Sequence, residues 1–448
     1  MRGTGVVVLL VSGALAWAGA APSAPAAQWQ ITWAQPAAGT DFRFTAVADD
    51  GTAAGTLTQK DGSRHVIFFD GTSQPTDVGP KIGPGSVATS MNDRHQIVGY
   101  QSLNPAVTTG DLLNTKIDTA HKPHAFVYAG KVRILSQLSY ATDVDDAGVV
   151  VGNFLASDQS LHAFAWLTGG LPWSPTAKNK FVDLGAGAAN TVNNPSTGLT
   201  VQIGGAIGKF AGTYTLNVRT GKFTSKKLTF TGNITSVNTA GSGGGYQISS
   251  SFNQLPVIAN LRSGKMKALG LPQPFTDGSV NAVTEAGAAF GDLSGHAGNS
   301  QATRWVNGRP ANLNGLFTKT QLRGGALTGA ADANTNGIFV GTGAVSGGVW
   351  TYVAYPAAAY EIGQVLAWVS QTSPKVFARS TRSTLAKAKG GDQTSACNYV
   401  RQAARSNYRD LRKAGFYVRN ALVDDLDQIQ YDLQCGGRIV PPHGMPFH

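Results

Sequence analysis

The chain has 448 residues, of which 56 are glycine and only 14% are charged, with a formal net charge of +11 at neutral pH. So few charges beside 42% hydrophobic residues exclude an intrinsically disordered acidic or basic chain. The length is enough to bury a large core. Abundant glycine with sparse charge suits many short strands joined by tight turns.

Taken in chain order, the first element is an export signal. Met1-Arg2 gives a short basic start, Val6 to Trp17 is almost wholly apolar, and Ala18-Gly19-Ala20 and Ala24-Pro25-Ala26 both fit small-x-small cleavage. The apolar run is too short for a comfortable membrane span, and no cysteine stands near the cleavage region for lipid attachment. Residues 1–26 are therefore expected to be a signal peptide. The mature chain is expected to be secreted, extracellular or periplasmic, with no transmembrane segment.

A repeat then runs through most of the chain. Three stretches align: Phe44-Thr-Ala-Val-Ala-Asp-Asp-Gly51, Ala88-Thr-Ser-Met-Asn-Asp-Arg-His95 and Ala141-Thr-Asp-Val-Asp-Asp-Ala-Gly148. Taking the apolar residue as anchor gives Val47, Met91, Val144, Val192, Val237, Val283 and Ala330, with spacings of about 45 residues. A glycine stands eight residues after the anchor at Gly55, Gly99, Gly152, Gly245 and Gly291; the fourth repeat lacks it, and Gly341 in the seventh is displaced by three.

Each repeat also has a second half. Alternating strands are predicted at His65–Phe69, His124–Tyr128, His162–Trp166 and Gln301–Trp305, each followed by a glycine turn. Short last strands follow at Thr76–Gly79, Val132–Leu135, Phe181–Gly185 and Lys267–Gly270. Four strands in about 45 residues is the size of one propeller blade.

The Asp-Asp-x-Gly turn, the Val-Val-Gly run, the His-Ala-Phe strand and the Asp-Leu-Gly ending together resemble the extracellular HAF-type repeat of bacterial secreted proteins. The resemblance covers roughly residues 44 to 355 and is best in the first three units. It implies a β-propeller-like fold in an exported protein and no settled activity. The expected fold is all-β, a seven-bladed β-propeller over residues 28–360. An orphan strand, Trp29-Gln-Ile-Thr-Trp33, is expected to complete the last blade, because ring closure removes exposed strand edges.

After Tyr360 the composition changes. A basic linker (361–391) leads to two helical patterns in 392–437, Ser395–Ala414 and Val418–Gln434, with Gly415 as the turn between them and a short tail at 438–448. The two arms of this helical hairpin are similar in length, which brings Cys397 and Cys435 together at its open end. They are the chain's two cysteines. In an oxidising compartment they form a disulfide that contributes about 3–4 kcal/mol in the chain-entropy picture. Arg401, Arg405, Arg409 and Arg412 form a stripe at helical spacing, read either as an anion-binding surface for an acidic polymer or as a solvated face paired with neighbouring Asp residues. Only Tyr399 and Tyr408 stand near for stacking on bases, so a nucleic-acid partner is not expected.

Chemistry is harder to find. Asp49-Asp50 and Asp145-Asp146 are paired carboxylates, but they sit in the repeated turn, where Asp caps backbone groups. The recurring His65, His124 and His162 point to a repeated packing or hydrogen-bonding role. His443, Met445 and His448 make a weak copper trio at a terminus. No nucleophile elbow, phosphate loop or dinucleotide fingerprint stands in a suitable context, so no catalytic residue, metal or cofactor is assigned. The leading expectation is a secreted, non-catalytic binding protein for an extracellular glycan or protein partner, with the hairpin as docking or oligomerising element. The rival is a secreted glycan hydrolase or lyase. That rival requires acidic residues from different repeats to converge, with Asp111, Asp118 and Asp158 as first candidates.

Overall fold

A computed structural model of the chain describes residues 29–356 except 38, 72–73, 84, 103–121, 169–179, 195–198, 286, 296–297, 335 and 347, together with Asn398 and Tyr399, which are helical. The remainder of the expected hairpin, the signal peptide and the linker lie outside the described residues.

The described chain is all-β and propeller-like. β1 (Trp29–Ala34) precedes β2 (Asp41–Val47), β3 (Ala53–Thr58), β4 (Arg64–Phe69) and β5 (Thr76–Asp77). β6 (Ser86–Met91), β7 (Ile97–Gln101), β8 (His124–Tyr128), β9 (Val132–Val144), β10 (Val149–Leu155), β11 (Leu161–Leu167) and β12 (Lys180–Ala186) form one continuous sheet. β13 (Ala188–Val192), β14 (Thr200–Ile207), β15 (Phe210–Asn217), β16 (Phe223–Val237), β17 (Ser242–Ile248), β18 (Gln254–Asn260) and β19 (Met266–Ala268) form another. The last strands are β20 (Phe275–Val283), β21 (Ala289–Gly295), β22 (Ser300–Val306), β23 (Arg309–Asn312), β24 (Ala326–Ala333), β25 (Phe339–Val345) and β26 (Gly348–Pro356).

Three sheets have four strands, β2-β3-β4-β5, β20-β21-β22-β23 and β1-β26-β25-β24. Each seven-stranded sheet divides at one long strand. β9 pairs with β8 through its first half and with β10 through its second, from Ser139 onward. β16 changes partner in the same way between Thr231 and Gly232. β1 pairs antiparallel with β26, Trp29 opposite Pro356 and Ala34 opposite Thr351, which is the pairing expected of the orphan strand. Two of the predicted last strands end early: β19 stops at Ala268, short of Gly270, and β5 stops at Asp77, where a four-residue helix, α1 (Gly79–Ile82), takes over.

The sheets pack face to face, so both faces of most strands are buried and alternate residues enter different cores. Val149 and Val151 pack with Ile203, Tyr214 and Leu216 of the fourth repeat, while Val150 faces Val98, Ala125 and Val127 of the second. Each such valine contributes roughly 1.5–3 kcal/mol by leaving water. The first and last repeats meet in the same manner, through Phe42, Phe44, Ile67 and Phe69 against Ile338, Val340, Val353 and Tyr355. Among the described residues no helix is long and apolar enough to cross a membrane.

The pairing register corrects two readings of the repeat. In the third repeat Ala141 lies opposite Gly152, across a bulge in β9. A Cβ on Gly152 would sit 2.0 Å from the Tyr140 carbonyl oxygen, so only glycine fits. In the seventh repeat the residue opposite Gly341 is Ala330, and the equivalent of Val144 is Ala333. Gly341 therefore stands eight residues after the true anchor and is not displaced. The fourth repeat does carry the glycine, as Gly205 opposite Ala189, moved along the chain by a longer turn after Val192.

Candidate functional site

The bulge also builds the site. It adds one residue to each innermost strand two positions before the anchor: Thr45, Thr89, Thr142, Asn190, Thr235, Asn281 and Ala331. Six of these side chains reach across to a backbone carbonyl of the following repeat. Thr45 Oγ1 donates to Ala88 O (3.2 Å), Thr89 Oγ1 to Ala141 O (2.9 Å) and Thr142 Oγ1 to Ala189 O (2.8 Å). Asn190 Nδ2 donates to Ile234 O (3.1 Å), Thr235 Oγ1 to Val280 O, and Asn281 Nδ2 to Ala330 O (2.9 Å). Ala331 has nothing to donate. Its junction is made instead by Asp332 Oδ2, which accepts from Val47 N (2.9 Å), and by Asn334 Nδ2, which donates to Ala48 O (2.7 Å).

Within this collar lies a cavity of about 280 Å³, lined by residues of all seven sequence repeats. Six lining residues are acidic, Asp49, Asp93, Asp143, Asp146, Glu285 and Asp332, and none is Lys, Arg or His. Most of these carboxylates also tie neighbouring repeats together. Asp93 Oδ1 accepts from Asp49 N (2.6 Å), Asp146 Oδ1 from Asp93 N (2.9 Å), and Glu285 Oε1 from Thr239 N (2.9 Å). Asp143 accepts from Ser90 Oγ (2.6 Å) and Val192 N (2.8 Å).

Crowding of like charges away from water raises their titration. Burial lifts Asp332 to about 6, and burial followed by the nearby Asp93 carboxylate lifts Asp146 to about 6. Burial raises Asp143 too, against the hydrogen bond from Ser90. A cationic group entering the cavity would relieve this repulsion, and an anionic one would meet it.

The turn carboxylates behave as the sequence implied. Asp50 Oδ1 accepts from Thr52 N (2.9 Å) and Oγ1 (2.7 Å), and Asp145 Oδ1 from Val149 N (2.7 Å). The recurring histidines clip outer strands together. His65 Nδ1 lies 2.7 Å from Asp77 Oδ2, His162 Nδ1 2.9 Å from Asp183 Oδ1, and His124 Nδ1 3.1 Å from Leu135 O. Asp158 caps an exposed turn through Ser160 and does not reach the cavity. Asp111, Asp118, the cysteine pair Cys397 and Cys435, the stripe Arg401, Arg405, Arg409 and Arg412, and the terminal trio lie outside the described residues. Acidic residues from different repeats do converge, then, through the repeated turn and the strand that leads into it, and Asp158 is not among them. The collar residues are not among the candidates read from the sequence, although Thr or Asn two positions before the anchor recurs in six repeats. Among the described residues no group of three or more His, Cys, Asp and Glu is arranged to hold a metal ion.

No protein-family model matches the chain, and no curated protein matches it. Among solved structures it is similar to a puromycin-hydrolyzing peptidase of Mycobacterium tuberculosis, at 12% identity and a TM-score of 0.39 over 70% of this chain and 51% of that one. It is also similar to an acylaminoacyl peptidase in complex with Z-Gly-Gly-Phe-chloromethyl ketone (9%, TM-score 0.40, 72% and 51%). A third neighbour is TolB from Acinetobacter baumannii (7%, TM-score 0.32, 73% and 80%). The chain spans about half the length of the peptidases it matches.

Proposed function

We propose that the chain is an exported, non-catalytic binding protein of the HAF-repeat type. In this reading its repeats close a seven-bladed β-propeller whose central cavity takes a cationic group on an extracellular glycan or protein partner. Closure is supported by the direct bonding of the last repeat to the first through Asp332 and Asn334, and by the pairing of β1 with β26. The helical hairpin, stapled by Cys397 and Cys435, serves as the docking element. The observation that carries the binding reading is the wall of six carboxylates with no basic residue among its lining.

A hydrolase or lyase is the second reading, favoured by Asp146, whose carboxyl is lifted to about 6 by burial and the nearby Asp93 charge and so lies in the range useful for proton transfer. Against it, both carboxylates of that pair already accept backbone N–H groups from a neighbouring repeat. Calorimetric titration with a glucosamine oligosaccharide and a lysine-rich peptide, each beside its N-acetylated form, tests the proposal. Binding of the amines alone, weakened by Asp146→Asn, is expected. Equal binding of the acetylated forms, or none of the amines, overturns it. Cleaved glycan that disappears in Asp146→Asn would replace it with the enzymatic reading.

A further inference from the structure

The outer rim of the fourth and fifth repeats carries the opposite charge. No Asp or Glu occurs between Asp183 and Asp277, while Lys209, Arg219, Lys222, Lys226, Lys227, Arg262, Lys265 and Lys267 fall in that stretch. Two turns share one pattern: Asn217-Val-Arg-Thr-Gly-Lys222 joins β15 to β16, and Asn260-Leu-Arg-Ser-Gly-Lys265 joins β18 to β19. The Asn side chain closes each turn, Asn217 Oδ1 accepting from Thr220 N (3.0 Å) and Asn260 Oδ1 from Ser263 N (2.8 Å). Arg219, Lys222, Arg262 and Lys265 are all exposed.

Lysines of the outer strands join these turns into one band. Lys180 Nζ donates to Thr220 O (2.9 Å), Lys226 Nζ to Arg262 O (2.9 Å) and Lys267 Nζ to Asn307 O (3.3 Å). Each bond crosses from one repeat to the turn of the next. Each uses one of three ammonium donors. The band therefore runs without a break from Lys180 to the Asn307 turn. Among the described residues none of these cations forms a salt bridge. The register places both turns at the cavity's end of the strands, Asn217 opposite Thr200 and Asn260 opposite Ser242.

We infer that this rim binds a linear acidic polysaccharide. A face with an anionic centre and a cationic margin repels a polyanion from the cavity and holds it along the arc. Nucleic acid is the less suited polyanion, because base binding draws on stacking aromatics: among the described residues beside the two turns Phe223 is 37% exposed, and the more exposed Phe252 stands at the opposite end of β17 and β18. The surface is separate from the cavity, whose lining includes none of these cations.

The test uses the mature full-length protein with fluorescent polygalacturonate oligomers, a neutral dextran and single-stranded DNA, read by anisotropy over a salt series. Binding of polygalacturonate that weakens with salt, and none of dextran, is expected. The quadruple variant Arg219→Ser, Lys222→Ser, Arg262→Ser, Lys265→Ser should bind at least ~10-fold more weakly. Its thermal unfolding should match the parent, since all four side chains are exposed. Parent-like affinity in that variant overturns the inference, as does loss only when Arg401, Arg405, Arg409 and Arg412 are replaced. Tighter binding of DNA through the same four residues overturns the polysaccharide assignment.

Discussion

Asp145 offers the sharpest perturbation of the collar. It stands where other repeats carry Asn92, Asn193, Asn238 and Asn334. In three of these the amide donates to a carbonyl of the next repeat: Asn92 to Asp145 O (2.7 Å), Asn238 to Thr284 O (3.1 Å) and Asn334 to Ala48 O (2.7 Å). Asp145 keeps the turn bond, but its Oδ2 is buried without a hydrogen-bond partner, and the residue is 1% exposed. Burial, with added repulsion from Asp146 and Asp143, pushes its carboxyl from 3.8 to about 8. The folded protein therefore holds a proton that the unfolded chain releases. This stabilisation is complete below the unfolded value of 3.8 and is lost as pH rises through the folded value of about 8. A displacement of that size corresponds to at most roughly 6 kcal/mol, and relaxation around the site leaves an expected effect of about 2 kcal/mol or more. Asp145→Asn supplies the missing donor without a charge. In urea unfolding followed by tryptophan fluorescence, the variant should match the parent near about pH 4 and exceed it by about 2 kcal/mol near about pH 8.5. A variant less stable at the higher pH, or a difference that ignores pH, would refute the reasoning.

Further outcomes follow from the same geometry. Gly205→Ala drives a Cβ to 1.9 Å from Ala188 O and should cost about 3 kcal/mol, whereas Thr200→Ala, at the exposed position eight after Val192, should be close to neutral. Equal effects in chemical denaturation would return the fourth repeat to its uncorrected register. Thr142→Val removes the bond to Ala189 O and should destabilise by about 1 kcal/mol, read by thermal unfolding. His162→Ala removes a partly exposed clip to Asp183 and an edge contact with the Phe154 ring, so a loss above about 2 kcal/mol would assign it a larger role. Removing β1 exposes the edge of β26 and should produce concentration-dependent association in sedimentation experiments.

The repeat was legible because strand alternation and turn chemistry are local. His65–Phe69 and Trp29–Trp33 read as strands from residue types alone, and the His65–Asp77 and His162–Asp183 clips explain why His-Ala-Phe and Asp-Leu-Gly travel together. The seventh anchor is not legible in the sequence because Ala330 and Ala333 differ in no local property; only the register opposite Gly341 separates them. The cavity was not legible for a different reason. Asp93, Asp146 and Glu285 stand in turns and Asp332 on a strand, with nothing local to set them apart, and their convergence depends on how distant repeats are arranged. Lys180, Lys226 and Lys267 likewise gain meaning only when their reach across repeats is seen.

The most direct test of the central claim is the pH dependence of binding of a lysine-rich peptide, whose own charge is constant over the range. Asp146 and Asp332, both lifted to about 6, must ionise before the cavity attracts a cation at full strength. Affinity is predicted to rise through about pH 6 and then level, with the rise flattened in Asp146→Asn. Affinity that is the same on both sides of that pH, in parent and variant alike, would contradict the assignment of the cavity as the binding site.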